Sequence, residues 1–141
     1  MIRVSVQYDD DLRASHRLFV PVIRRAVRTA LRFEGVRKPC EVSVFVTDDA
    51  GIRRINREFR GINKPTDVLS FPIYDLRLLG DIVLSGERVA RQSRQYRQSR
   101  SRETAYLTVH SVLHLLGYDH IDADEKKIMR SREDAIMARM F

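Results

Sequence analysis

Apolar and polar residues alternate at the start of the chain and then change period. Ile2, Val4 and Val6 are separated by single polar residues, the period-two pattern of a strand with one face buried. From Phe19 the apolar positions recur at helical spacing through Val22, Ile23, Ala26, Val27, Ala30 and Leu31. Pro21 is tolerated there only in a first turn, where its missing N–H leaves no bond unmade, and Gly35 closes the helix. Val42, Val44 and Val46 predict a second alternating strand, after which Asp48 or Asp49 caps a short helix carrying Ile52, Ile55 and Phe59. Val68 to Phe71 and Ile82 to Leu84 read as two further strands joined by the connection Ile73 to Gly80, most simply a hairpin.

From Ser85 onward the period is helical throughout. A basic segment covers about Gly86 to Ser99, a histidine-bearing helix about Arg102 to Leu116, and a last helix begins at Asp122. Asp122 and Glu125 stand in capping-box spacing, with aspartate in the place of serine or threonine, and Ile128, Met129, Ala135 and Ile136 form the apolar stripe that follows. No internal repeat, low-complexity tract or linker interrupts the pattern. Early strands with intervening helices, then a run of helices, predict one α+β domain over residues 1–141. The expected architecture is a small mixed β-sheet of about four strands packed with about five helices, with a three-histidine metal site on a helix of the C-terminal half.

A chain of 141 residues is long enough to bury a core without staples. Its single cysteine, Cys40, excludes an internal disulfide, and its place between Pro39 and a strand predicts a buried thiol packing as a small hydrophobe, in keeping with a reducing cytosol. The N-terminus has no basic region leading into a long apolar stretch, and no segment approaches a membrane span, so a soluble cytoplasmic protein without a membrane partner is expected. The formal charge of +7 suits a polyanionic partner. Arg88, Arg91, Arg94, Arg97, Arg100 and Arg102 crowd one stretch, but a spacing of three drifts by about 60° per step around a helix. They wrap the cylinder, and a solvated face explains them as well as a phosphate-tracking surface does.

Three of the four histidines fall in the run HSVLHLLGYDH, at His110, His114 and His120. On a helix that turns about 100° per residue, His110 and His114 share one face a single turn apart. Gly117 tolerates a positive φ, which ends the helix and lets His120 approach the same point. Packing gives no reason for three imidazoles at these offsets among apolar neighbours, and burying them unpaired is costly. Three imidazoles with one open position describe a catalytic zinc site, whereas structural sites normally take four protein ligands and favour cysteine. Asp119 is either a fourth ligand or a turn residue. The glutamate that follows the first histidine in HExxH metalloproteases is here Ser111, so no adjacent carboxylate base is supplied.

The same run resembles the signature HGxLHLLGYDH of the YbeY family of bacterial rRNA maturation factors. A second block supports the resemblance: Asn56, Arg60, then PTDVLSFP from Pro65 to Pro72 and GDI from Gly80 to Ile82, with Glu103 ahead of the histidines and Met129 behind them. The resemblance implies a zinc-dependent, single-strand-specific endoribonuclease acting in 3′-end maturation of small-subunit (16S) rRNA, in ribosome biogenesis and in ribosome quality control. It implies one Zn2+ per chain, precursor rRNA as substrate, and the small ribosomal subunit with an associated ribosomal protein or GTPase as partners. By position, His110, His114 and His120 match the metal ligands, and Arg60, with His114, the catalytic residues. Ser111 departs from the family glycine, either narrowing the packing around the metal helix or facing a gap.

A guanidinium binds phosphate oxygens bidentately at any working pH, which suits Arg60 to clamping phosphate. Lys64 offers a second positive point or is a solvated loop residue. Asp67 and Asp81 are candidates to orient a metal-bound imidazole or else cap turns. Thr66 and Ser70 serve phosphate or backbone equally well, and His16 reads as a surface residue. Two other classes fit a three-histidine site: a non-catalytic zinc-binding ribosome-assembly factor, and a zinc hydrolase of peptides or small molecules. The oligomeric state is not written in the sequence.

Overall fold

The computed structural model describes every residue of the chain except Tyr74 and Leu76. Its elements run β1 (Ile2–Tyr8), a 3-10 turn (Ala14–His16), α1 (Val20–Phe33), β2 (Cys40–Thr47), α2 (Asp49–Arg60), β3 (Val68–Pro72), β4 (Leu78–Ser85), α3 (Gly86–Gln95), α4 (Arg100–Leu115) and α5 (Ala123–Met140). The four strands form one mixed sheet in the order β1-β2-β4-β3. β1, β2 and β4 are parallel, and β3 returns antiparallel along β4, as expected of a hairpin. Val4, Val42, Val44, Val46, Ile82 and Leu84 point to the face covered by helices, where they meet Ile23, Val27, Leu113, Met129 and Ile136 in the main core. On the opposite face Ile52 of α2 packs with Leu69 and Val83 in a second, smaller cluster.

The local signals explain the element ends. Asp48, not Asp49, caps α2, its carboxylate accepting from the Gly51 N–H at 2.8 Å. Asp49 instead accepts from Ser85, Arg88 and Arg91 at 2.8, 3.3 and 3.0 Å, tying α2 to the start of α3. Burial alone would raise its pKa, but these three donors outweigh it and hold the carboxyl below the usual range. Asp122 caps α5 through the Glu125 N–H. Cys40 is buried at the start of β2, as expected, and burial pushes its thiol up.

Three expectations are corrected. Leu78, Leu79 and Gly80 belong to β4 and not to the hairpin connection, whose Tyr74 and Leu76 lie outside the described residues. Gly80 reads as a turn but pairs in the sheet with Val42 and Pro72, and it is glycine because a Cβ there would come within 2.6 Å of both Leu115 Cδ2 and the Phe71 carbonyl oxygen. That close approach seats the end of α4 against the β3–β4 hairpin. The basic helix stops at Gln95, Arg97 takes a φ of +52°, and Ser99 caps a new helix that includes Arg100 and Arg102. Arg88 and Arg91 therefore turn to Asp49, while Arg102 lies over the Phe141 ring, so the six arginines do not share one helix. Finally, Phe59 and Ile128, expected on buried stripes, are 68% and 55% exposed.

Candidate metal centre

α4 packs against β3 and β4 and against α1, α3 and α5, and its Leu107, Val109, Val112, Leu113 and Leu115 are all buried. His110 and His114 occupy its one face left partly open, a turn apart and half-buried. The helix ends in a Schellman turn: the Tyr118 N–H reaches the Leu113 carbonyl at 3.0 Å and the Gly117 N–H reaches that of His114 at 3.0 Å. Gly117 has φ +102°, a conformation that a side chain would strain. The turn carries His120 back over the helix, with its ring centroid 4.9 Å from that of His114 and 5.4 Å from that of His110. One nitrogen from each of the three rings lies within 4.8 Å of the others.

The outer nitrogens fix the protonation of the inner ones. His110 Nδ1 is 2.6 Å from Glu133 Oε2, and His114 Nδ1 is 2.9 Å from the Tyr118 carbonyl oxygen. Both partners accept, so the neutral form of either ring carries its proton on Nδ1 and presents its Nε2 lone pair. Those two Nε2 atoms face one another at 3.2 Å. A proton between them would require an imidazolium. Burial first, then the neighbouring His110 and His120, hold the His114 imidazole below the usual histidine range. Two nitrogens bound tetrahedrally to one zinc at about 2.05 Å stand roughly 3.3 Å apart, so the spacing suits a shared cation. The donor set can hold a metal ion, with exposed His120 as the most accessible of the three.

His110, His114, His120 and Arg60 all line one cleft of about 570 Å3, together with Thr66, Asp67 and Ser70. Arg60 stands in the last turn of α2, where its Nη1 donates to Asn56 Oδ1 at 3.4 Å. Asn56 is buried, and its own amide donates to the Lys64 carbonyl at 2.9 Å. Lys64 contributes that backbone atom, and its exposed side chain is not part of the cleft wall. Asp119 takes the turn role, accepting from the His120 N–H at 2.8 Å. His16 lies apart, in the 3-10 turn. Ser111 is fully buried, so it supplies no base to the cleft, and its hydroxyl finds no partner among the described residues. The histidines converge despite that departure.

Neither aspartate proposed to orient an imidazole does so. Asp67 accepts from Gln92 and Thr66, both at 3.3 Å, and Asp81 lines a groove on the opposite side of the sheet. The carboxylate on His110 belongs to Glu133 of α5, 3% exposed, which also accepts from the Tyr106 hydroxyl at 3.1 Å. Burial and the Glu133 charge push the Tyr106 phenol up to about 12, so it stays a donor. A signal for Glu133 was present: it falls four residues after Met129 and three before Ile136, a carboxylate inside the buried stripe of a helix. Replacing Glu133 by Gln is expected to weaken metal affinity about 10- to 100-fold while the histidines stay in place. Titration against a chromophoric chelator measures this, and unchanged affinity would remove Glu133 from the centre.

Residues 6–141 match the family model described as Endoribonuclease YbeY. The Endoribonuclease YbeY of Thermoanaerobacter sp. (strain X514) is 43% identical over 136 residues, covering 84% of this chain and 86% of its own. That of Roseiflexus sp. (strain RS-1) is 47% identical over 129 residues, covering 82% and 80%. The solution structure of TM1509 from Thermotoga maritima shares the fold, with a TM-score of 0.66 at 23% identity over 97% of this chain and 87% of that one.

Proposed function

The chain belongs to the endoribonuclease YbeY family, and we propose that it is a single-domain endoribonuclease over residues 1–141, cutting single-stranded RNA in the maturation of the small-subunit rRNA 3′ end. In this reading His110, His114 and His120 hold one Zn2+, and Arg60 clamps the phosphate to be cut. The protein acts in the cytoplasm on precursor rRNA of the small ribosomal subunit, with an associated ribosomal protein or GTPase, and takes part in ribosome quality control. No helix among the described residues is long and apolar enough to cross a membrane.

The observation that carries the reading is the meeting of two kinds of group in one cleft: three imidazoles able to share a cation, and a guanidinium that stays charged. When bound, the cation supplies Lewis-acid polarisation of a phosphoryl oxygen and acidifies water. The chain's own residues do the rest. Tyr118 and Glu133 hold the imidazole rings with their lone pairs inward, and Asn56 steadies Arg60 at the rim. A peptidase of the HExxH kind is disfavoured, because Ser111 is buried in the place of its glutamate and Glu133 is turned to His110.

Purified native protein is expected to contain zinc in a one-to-one ratio and to cleave precursor rRNA in a chelator-sensitive manner. Product ends then separate two routes: a 5′-phosphate with a 3′-hydroxyl marks attack by water, and a 2′,3′-cyclic phosphate marks attack by the RNA 2′-hydroxyl. Stoichiometric metal with RNA binding and no cleavage would overturn the nuclease and leave a zinc-binding assembly factor.

A further inference from the structure

Among the described residues β3 is an edge strand paired with β4, and it lies between two concavities. Ser70 and Pro72 line the histidine cleft, while Phe71 lines a separate groove of about 520 Å3 beneath α2. The end of α2 divides in the same way, with Arg60 on the cleft and Phe59 on the groove. Phe59 is 68% exposed, and its ring meets that of Phe71 edge to face, with centroids 5.9 Å apart and planes at 63°. The groove continues over Phe45 and Ile55 to the polar side chains of Ser43 and Asp81. Of the exposed arginines of α2, Arg60 alone lines the cleft, while Arg53 and Arg57 face solvent and line neither concavity.

We infer that the Phe59–Phe71 pair is a base-stacking subsite for single-stranded RNA whose backbone passes around the β3 edge from the histidine cleft. The inference rests on the endoribonuclease reading. A partner of this chemistry suits the patch in two respects. The exposed aromatic face accepts any base, and Arg60, next to Phe59 in sequence and on the cleft wall, supplies the opposite charge where the strand leaves the cleft. A single strand can bend around a sheet edge within a few nucleotides, and a duplex cannot. Phe59 projects from the surface without filling the core, which leaves its substitution neutral for folding.

The test compares two fluorescein-labelled probes, an oligouridine about ten nucleotides long and an abasic strand of the same length, by anisotropy read before cleavage sets in. Phe59→Ala in the full metal-loaded chain is expected to weaken oligouridine binding about tenfold and to leave the abasic strand unaffected, with Phe59→Trp restoring the affinity. Arg60→Ala should weaken both probes and lower the slope of log affinity against log salt by about one. Equal binding of oligouridine by Phe59→Ala and the native chain overturns the subsite. So does an equal loss on both probes. A change in sedimentation with RNA affinity intact also overturns it, assigning the groove to a protein contact. Native protein that stacks oligouridine yet never cleaves RNA would sink the nuclease reading and leave the subsite standing.

Discussion

His114→Ala is expected to yield a folded protein that retains no stoichiometric metal and cleaves RNA about a thousandfold more slowly. The first part follows from position: His114 lies between the other two imidazoles, its Nε2 3.2 Å from that of His110 and its ring centroid 4.9 Å from that of His120. Removing it leaves two nitrogens, one of them on an exposed turn, where a preorganised three-donor set stood before. The rate follows from the same loss, since a catalytic metal contributes several kcal/mol of transition-state stabilisation and each 1.36 kcal/mol is a factor of ten. Folding should survive, because the side chain is only half-buried on the cleft wall and alanine is the best helix former at a helical position. Elemental analysis, a thermal melt and a single-turnover cleavage assay check the three parts separately. Full metal content with undiminished cleavage would show that the histidine cluster is not the active centre.

The positions that were legible in the sequence are those where one local rule decides. Offsets of four on a helix placed His110 beside His114, Gly117 announced the turn that brings back His120, and Asp122 announced the cap of α5. What escaped depends on elements distant in the chain. Gly80 is a glycine because Leu115 and the Phe71 backbone crowd it, which period-two reading of β4 alone does not disclose. Phe59 fits the stripe of α2, but it lies at the helix end beyond the buried cluster of Ile52, Leu69 and Val83, where the edge of Phe71 covers only part of its ring. Ile128 is exposed for another reason: Met129, Glu133, Ile136 and Met140 make the buried face of α5, and Ile128 stands about 100° off it. Periodicity tells which side of a helix is apolar and not how far its partner extends. Glu133 escaped differently. A carboxylate within an apolar stripe is a costly anomaly that demands a partner, and the partner, His110, stands 23 residues away on another helix.

Arg60→Ala should separate chemistry from metal binding: the cation stays, the fold stays, and kcat falls by about 10^2 to 10^3. Arg60 touches none of the histidines' hydrogen-bond partners and is exposed, so its removal alters neither the imidazole geometry nor the core. Its placement is nevertheless specified. Gly61, at φ +71°, ends α2 and turns the chain, so that the Lys64 carbonyl meets the buried Asn56 amide, and Asn56 in turn accepts from the guanidinium. The positive end of the side chain also completes the C-terminal dipole of α2. A point charge is not an adequate substitute, because the two parallel N–H donors of arginine match two phosphate oxygens. Arg60→Lys should therefore recover substrate affinity more than rate, and the salt dependence of binding should lose about one phosphate contact in the alanine variant and regain it in the lysine variant. Cleavage rates, metal content and binding at several salt concentrations distinguish these effects. Normal precursor processing by Arg60→Ala would leave the three imidazoles without a phosphate clamp at that rim, and the positive partner in the reaction would have to come from another wall of the cleft.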